Sequence, residues 1–489
     1  MILSDLISPC LVKNEWTEIS LTEIKHLTQY IEEVTNDSLF ICINNTKYDG
    51  HDFIAEALAQ GAAAIIVDHL PKNGLTGPFI LVSDTNKALA QVAAKFYDYP
   101  SRDIIFLGVT GTNGKTTTTY LINEILSQSG IRSGLIGTMY NQIGKQILPT
   151  SNTTPHTVQL QKIISEMAQE NISHCVMEVS SHGLKQERVL GIDFNVAVFT
   201  NFTQDHLDFH ESMSDYFEAK SSLFSRLGNG FSEKVKAAVI NIDDPYAKKI
   251  IALTPTNVFT YGCKGHGDIQ ANEIVITASG TQFTLSFFDK KWRVSTKMIG
   301  LFNVYNCLAA FSASVAIGLA PEKIIPIIEG ITGVRGRFES VPNTKGIAAI
   351  VDYAHTPDAL INVLKTAQSL TKGNIYCVAG CGGDRDTDKR PKMAEAVIKY
   401  ATHGIFTSDD PRTEDPKQII EQMIVNITEN NYEIELDRRI AIEKALSMAS
   451  HGDTVLIAGK GHETVQMIGT TAVHFDDREV VREFFDEVK

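Results

Sequence analysis

The segment GTNGKTT, Gly111 to Thr117, sets two glycines, a lysine and a threonine pair within seven residues. Glycines at that spacing let successive backbone N–H groups face an anion with no Cβ in the way. Lys115 directs a positive charge at terminal phosphates, and Thr116 or Thr117 can reach a magnesium ion. The ligand implied is a nucleoside triphosphate cradled by Gly111, Thr112, Asn113, Gly114, Lys115, Thr116 and Thr117. Glu178, at the end of the apolar run HCVMEVSS, and His206, in TQDHLDFH, are candidate ligands for a hard cation in such a domain. A third grouping, TSDDPRTEDP, carries Asp409, Asp410, Arg412, Glu414 and Asp415 in ten residues. It is either a solvated turn or a clamp that reads a charged small molecule.

These groups need elements to hold them. IIFLGVTGTNGKTTTTYLINEILSQSG reads as a buried strand, a glycine turn and an amphipathic helix. HCVMEVSS and VAVFTNF read as further short buried strands, the pattern of a parallel sheet covered by helices. Thr277–Lys297 alternates in period two and predicts an antiparallel pair. Beyond Gly333, IAAIVDYA, NIYCVAGCGG, HGIFTS and DTVLIAGKG predict four strands of an open α/β domain, with ligand loops at the strand carboxyl ends. Near the start, SLFICI and AAIIVD read as strands flanking a helix in DFIAEALAQGA that Gly61 closes, and DYPSRD reads as a linker. The expected fold is therefore α/β with three domains. They are a small N-terminal α/β domain (1–98), a central P-loop-type, mostly parallel sheet domain (99–332) and a Rossmann-like C-terminal domain (333–489).

Composition bounds the function. A chain of 489 residues exceeds one core, and three domains follow at roughly 150 residues each. With 44 basic against 58 acidic residues the formal charge is −14, which argues against a general nucleic-acid binder but leaves room for a local basic pocket. The seven cysteines, Cys10, Cys42, Cys175, Cys263, Cys307, Cys377 and Cys381, are odd in number and scattered, as reduced thiols would be. Cys377 and Cys381 have no second pair at zinc spacing and read as strand-end thiols. MILSDLISPCLVKNE lacks a basic leader, and no apolar run approaches the ~20 residues that span a bilayer. A cytoplasmic protein, expected as a monomer with no membrane or nucleic-acid partner, is the reading.

Ten stretches, in order from Gly108 to Thr464, carry a resemblance: GVTGTNGKTT, NTTP, EVSSHGLKQERV, FTNFTQDHLDFH, YFEAKSSLF, GLFNVYNCLAA, VDYAHTPD, GCGGDRDTDKRP, DDPRTEDP and AGKGHET. Together they resemble the Mur ligase family, the ATP-dependent amide-forming synthetases of cell-wall precursor assembly, and within it the MurE-type synthetases. The resemblance implies that a third amino acid is joined to UDP-N-acetylmuramoyl-L-alanyl-D-glutamate through an acyl phosphate, with ATP and Mg2+. Lys220 is similar to the family's carbamylated lysine (N6-carboxylysine) and would join Thr116, Glu178 and His206 around the metal. Asn303, Arg337 and Asp352 correspond to positions that reach ATP. Asn152, Thr153, Thr154, Ser180, Gln186 and Arg188 correspond to those holding the UDP-muramoyl-dipeptide. Asp409, Asp410, Pro411, Arg412, Arg390, Gly459 and Glu463 correspond to the site of the incoming free amino acid. Arg412 stands where relatives that select meso-diaminopimelate pair an arginine with the distal carboxylate, a planar fork for a planar anion.

Several letters depart from the family pattern. Asp410 replaces an asparagine, which would either partly neutralise Arg412 or recruit a cationic group. Tyr30, Ile31 and Glu32 stand where a serine and a basic residue usually face the uridine nucleotide; Asn45 replaces a glycine, and Arg335 a proline. These departures leave alternatives open: meso-diaminopimelate, L-lysine or another amino acid, and a divergent second copy or a ligase for a different carboxylate acceptor. A non-catalytic P-loop switch is the alternative from another class, which the set Lys115, Glu178, His206 and Lys220 argues against.

Overall fold

Strands β1 (His26–Thr28), β2 (Ser38–Ile41), β3 (Ala64–Val67) and β4 (Phe79–Leu81) form a parallel sheet in that order. All four residues of β2 and of β3 are buried, as a parallel sheet covered on both faces requires. One face packs Leu39, Ile41 and Ile66 against Leu3, Leu6 and the apolar stripe Leu89, Val92 and Ala93. That stripe belongs to the helix Thr85–Phe96, which starts where the Asp84 carboxylate accepts the Lys87 N–H. The other face packs Phe40, Ile65 and Val67 against Ile54 and Ala57 of the short helix Ile54–Ala59. This computed structural model describes residues 1–44, 48–72, 74–228 and 234–487.

The chain forms two compact units. The first comprises Met1–Val109, Gly130–Ala197 and Arg226–Lys236; the second comprises Thr110–Ser129, Val198–Ser225 and Ala237–Lys489. Besides the sheet above, the first unit holds β5 (Ile105–Thr110, to Val109), β6 (Ser133–Ile136), β7 (Asn141–Ile143), β8 (Gln146–Leu148) and β9 (His174–Glu178). They lie in the order β5-β9-β6-β7-β8, parallel as far as β6 and antiparallel beyond it. The unit boundary falls within β10 (Phe194–Phe199). DYPSRD forms a single 3-10 turn over Pro100–Arg102.

The second unit carries the helix Lys115–Gln128 and two groups of strands. In the first group β11 (Ala237–Asn241) and β12 (Asn257–Gly262) run parallel, and β12 also pairs in parallel with β13 (Ile269–Thr277). The period-two segment forms the expected antiparallel pair, β14 (Gly280–Phe287) and β15 (Lys290–Thr296), turning from Phe287 to its partner Lys290. β13 extends that pair to three strands, with a bulge between Asn272 and Val275.

The second group is the open C-terminal sheet. Its strands are β16 (Glu339–Val341), β17 (Ala348–Asp352), β18 (Ile375–Ala379), β19 (His403–Phe406), β20 (Tyr432–Ile434) and β21 (Thr454–Ala458). They order as β16-β17-β21-β18-β19-β20, all parallel except β16. Because β21 returns between β17 and β18, the connections diverge there, and the carboxyl ends Asp352, Ala379 and Ala458 face a crevice suited to a ligand. A hairpin of β22 (Val465–Ile468) and β23 (Thr471–His474) follows. The architecture is α/β with mostly parallel sheets, as the hydrophobic runs predict. All seven cysteines are free thiols.

Candidate active site

The phosphate loop begins where β5 ends. Gly111 has φ +148 and Gly114 φ +85, and a Cβ on Gly114 would stand 2.6 Å from Asn306 Oδ1. Only glycine meets both conditions, left-handed backbone and close approach. The helix Lys115–Gln128 starts directly after it, so its free N–H groups and its dipole face the loop. Lys115 Nζ donates to Gly111 O (2.9 Å) and Thr112 O (2.8 Å), curling over the loop. Asn113 is tied down by Asn201, which accepts its N–H at 2.8 Å, and donates from Nδ2 to Asp358 at 3.1 Å.

Lys220, buried at 1% exposure on the helix Met213–Ser225, donates from Nζ to Gly111 O at 2.8 Å. Burial, reinforced by the nearby Lys115 charge and opposed by Asp205, pushes its ammonium well below the usual lysine value. An ordinary surface lysine has no such pressure to be neutral. Asp205 was not singled out by its sequence, yet it is the electrostatic centre of this region. It lies 3.4 Å from His206 Nε2, 3.4 Å from Lys389 Nζ and 3.8 Å from His355 Nε2. Burial favours its neutral form, but His206, Lys389 and His355 prevail and hold the carboxyl well below the usual range. The acid beside a histidine in TQDHLDFH was the available signal; the cations come from VDYAHTPD and DTDKRP.

Beside the loop, a cavity of about 670 Å³ is lined by Thr117, Asn303, Arg335, Arg337, Glu339 and Arg478, among others. Its size and basic lining suit a nucleotide. Arg337 NH2 donates to Thr116 Oγ1 at 3.0 Å, and its guanidinium lies 4.5 Å from the Tyr353 ring centre. Arg335, the letter in place of proline, adds a charge to this cavity and reaches Asp476 Oδ2 at 3.3 Å. Asp352 caps the backbone: its two oxygens accept Phe338 N–H (2.6 Å) and Ala354 N–H (2.7 Å). Asn303 donates to Ile299 O and accepts from Asn306.

The acidic turn folds back on β22. Arg412, at φ +49, accepts from Gly469 N–H and donates its own N–H to Met467 O. Its NH1 donates to Gly383 O at 2.7 Å, and NH2 stands 3.7 Å from Asp410 Oδ2. Asp410 Oδ1 accepts from Lys460 Nζ (2.8 Å) and Met467 N–H (3.0 Å). Fully buried Lys460 also donates to Glu463 Oε2 at 3.0 Å. Burial would lower its pKa, but Asp409, Glu463 and Asp410 raise it, so Lys460 stays charged. Burial pushes the Glu463 carboxyl up, against the pull of Lys460. Gly459 follows β21 with φ +117, close against the Asp409 carboxylate, and Pro411 O packs on Gly383. Arg390 is buried, and its two terminal nitrogens pair with Glu414 at 2.8 Å each, with Gln422 and Gly382 O completing the set. The structure thus brings Arg412, Asp409, Asp410, Gly459 and Glu463 to one crevice, and engages Arg390 with Glu414.

In the first unit, Glu178 is 1% exposed; Oε1 accepts Thr138 N–H at 2.8 Å, and Thr138 Oγ1 lies 3.0 Å from both Glu178 Oε2 and Thr153 Oγ1. Thr154 Oγ1 donates to Glu178 O and accepts Ser180 N–H. Ser180 caps the helix Ser181–Lys185. Arg188 NH1 donates to Thr154 O at 2.7 Å and Nε to Gln186 at 3.0 Å, and burial lowers its guanidinium pKa to about 10. Asn152 stands nearby in sequence, its carbonyl accepting from Thr150. Tyr30 meets His156 edge-on at 5.9 Å between ring centres and feels the Arg188 charge, while Ile31–Glu33 form a 3-10 turn. Asn45 lies outside the described residues.

Three family descriptions match in order: "Mur ligase family, catalytic domain" over 32–97, "Mur ligase middle domain" over 109–314, and "Mur ligase, glutamate ligase domain" over 336–461. The UDP-N-acetylmuramoyl-L-alanyl-D-glutamate–2,6-diaminopimelate ligase of Oceanobacillus iheyensis is 46% identical over 468 residues, 95% of each chain. The chain belongs to the Mur ligase family. Another Mur ligase of the same description, from Listeria monocytogenes, is 46% identical over 464 residues, 94% of each chain. A solved UDP-N-acetylmuramoyl-L-alanyl-D-glutamate–2,6-diaminopimelate ligase superposes with TM-score 0.68 at 32% identity, covering 100% of this chain and 99% of its own. The MurF ligase of Thermotoga maritima, solved in complex with ADP, shares the fold at TM-score 0.63 and 20% identity, covering 95% of this chain and 97% of its own.

Proposed function

We propose that this Mur ligase uses ATP to join meso-diaminopimelate, as the third amino acid, to UDP-N-acetylmuramoyl-L-alanyl-D-glutamate in peptidoglycan precursor synthesis. The observation that carries the choice of amino acid is the pairing of Asp410 with Lys460. Lys460 shares the charge of Asp410, so this acid only partly offsets Arg412, whose NH2 stands a long 3.7 Å from Asp410 Oδ2.

The chemistry follows from bringing two anions together. A carboxyl oxygen of the acceptor attacks the γ-phosphorus of ATP, ADP departs, and an acyl phosphate forms. The amine of the incoming amino acid then attacks that carbonyl, phosphate leaves, and an amide remains. The loop residues Gly111 to Thr117 cradle the phosphates, with Lys115 and the helix N-terminus offsetting their charge. Asn303 and Arg337 hold the nucleotide from the cavity, and Asp352 orients the backbone around Arg337 and reaches the ribose. Asn152, Thr153, Thr154, Ser180, Gln186 and Arg188 hold the acidic nucleotide-sugar substrate. Asp409, Asp410, Pro411, Arg412, Gly459 and Glu463 receive the amino acid; Arg390 shapes that pocket through Glu414. We assign 1–98 to the nucleotide-sugar end, 99–332 to ATP and catalysis and 333–489 to the amino acid, and place the enzyme in the cytoplasm. Among the described residues no helix is long and apolar enough to cross a membrane.

Thr116, Glu178, His206 and Lys220 are the proposed magnesium positions. The donor set fits a hard cation once Lys220 is carbamylated: burial favours the neutral amine, which adds CO2, releases a proton and becomes a carbamate anion. Magnesium, when bound, screens the phosphoryl charge.

The test is phosphate release and product mass with UDP-N-acetylmuramoyl-L-alanyl-D-glutamate across an amino-acid panel. The expected result is highest kcat/KM with meso-diaminopimelate, and loss of that preference in Arg412→Ala. Faster turnover with L-lysine would overturn the reading of Arg412.

A further inference from the structure

The carboxyl ends of the adjacent parallel strands β2 and β3 bring two short polar segments together: Asp49 and His51 after β2, and Asp68 and His69 after β3. Asp49 Oδ1 lies 2.6 Å from His51 Nδ1 and also accepts the His51 N–H. With Nδ1 engaged by Asp49, Nε2 is the ring nitrogen left to face a second partner. That Nε2 is buried without a hydrogen-bond partner, in a side chain only 8% exposed, and stands 3.3 Å from Asp68 Oδ1. That contact is favourable only when a proton or a metal cation lies between the two atoms. His69 completes the group: its Nδ1 is 2.6 Å from Asp68 Oδ1, and its ring stacks on that of His51 at 4.0 Å. One donor atom from each of His51, Asp68 and His69 lies within 4.8 Å of the other two.

We propose that His51, Asp68 and His69 form a binding site for a divalent transition-metal ion of the zinc class. Two imidazoles and one carboxylate are a borderline donor set, and magnesium, which prefers oxygen, is a poor match. Asp49 plays the outer-sphere part: it fixes the tautomer and orientation of His51, as carboxylates behind metal-bound histidines do. A tetrahedral ion with bonds of about 2.0–2.1 Å needs ligand atoms about 3.3–3.4 Å apart. His51 Nε2 and Asp68 Oδ1, at 3.3 Å, meet this, whereas the exposed His69 ring, stacked on His51 and 2.6 Å from Asp68 Oδ1, has to turn out of the stack to direct Nδ1 at the ion. Three protein ligands leave a position for water or a ligand atom. The ion clips together the loops that follow β2 and β3. None of His51, Asp68 and His69 is among the residues named for ligation, so the site stands or falls independently of that reading.

The experiment takes the full-length protein, stripped with a chelator and held in excess Mg2+ so that oxygen-rich sites are filled. It is titrated with Co2+ followed by the visible ligand-field absorption, and Co2+ is then displaced with Zn2+. His69→Ala and the near-isosteric Asp68→Asn are compared with the unmodified protein and with His474→Ala, an exposed histidine elsewhere. The expected result is one tightly held ion fewer per chain in the first two variants, and an unchanged count in His474→Ala. Zn2+ should also raise the unfolding temperature of the unmodified protein and not that of Asp68→Asn. Equal uptake by all four proteins, or no uptake, would overturn the proposal and leave His51 as an imidazolium held between two carboxylates.

Discussion

Lys220 and Asp410 show how little a residue's letter says without its neighbours. Lys220 could be any helical lysine in EAKSS, but its burial against the phosphate loop, with Lys115 nearby, pushes its ammonium well below the usual lysine value. Lys220→Ala is expected to lower turnover by about 10²-fold or more, since one of the proposed magnesium positions is lost. A carbamate carbon signal from labelled bicarbonate, seen in the unmodified protein and absent from the variant, checks the modification itself. Asp410 is paired with Lys460 and stands 3.7 Å from Arg412, so it competes weakly with any substrate carboxylate. Asp410→Asn should therefore lower KM for meso-diaminopimelate by about 1 kcal/mol, roughly fivefold, with kcat little changed. Steady-state kinetics in both amino acids decides it; a switch to lysine in the variant would contradict the reading.

At the scale of elements, the strand–loop–helix unit around Gly114 was the most legible part of the chain. Hydrophobic runs gave strand positions because parallel strands are buried on both faces, and glycine with lysine marked the loop between them. Gly114→Ala places a Cβ on left-handed backbone, 2.6 Å from Asn306 Oδ1. The expected cost is about 1–2 kcal/mol for the backbone alone, read as a lower urea midpoint, together with a raised KM for ATP. An alanine variant with unchanged KM would show that the loop tolerates rearrangement. The C-terminal crevice was legible in its four strands but not in their order. That β21 inserts between β17 and β18 depends on contacts remote in sequence, and it is this insertion that carries Gly459, Lys460 and Glu463 to the Asp409–Arg412 turn.

For the whole molecule, two histidines of depressed pKa make stability fall toward acid pH. His462, with a pKa pushed down to about 3 by burial and then by Arg337, Arg478 and Arg335, and His355, pushed down to about 4 by burial and then by Lys389, resist protonation in the folded state. Unfolded, both titrate near the ordinary value of about 6.5. Stability from this source is complete above that value and is lost as pH falls toward 4 and 3, because the unfolded chain binds the extra protons. His355 contributes less, since its side chain is 38% exposed and screened by water. Urea unfolding at pH 7.5 and pH 5 is expected to show the loss, and His462→Gln should flatten it; a pH-independent midpoint would count against the assignment.

By itself the sequence determined the α/β class, the phosphate loop and the family, because these rest on local patterns: buried runs, glycine geometry, and ordered motifs such as GTNGKTT and DDPRTEDP. It also singled out Arg412 as the arginine proposed for a clamp. Only the tertiary structure decided which charges meet. Asp205 gathers His206, His355 and Lys389 from segments up to 184 residues away; Arg390 goes to Glu414, Asp410 to Lys460, and His51 comes to face Asp68 and His69. Such pairings are set by strand order and burial, and electrostatic energy depends on distance and desolvation through space, neither of which is written in the spacing of letters.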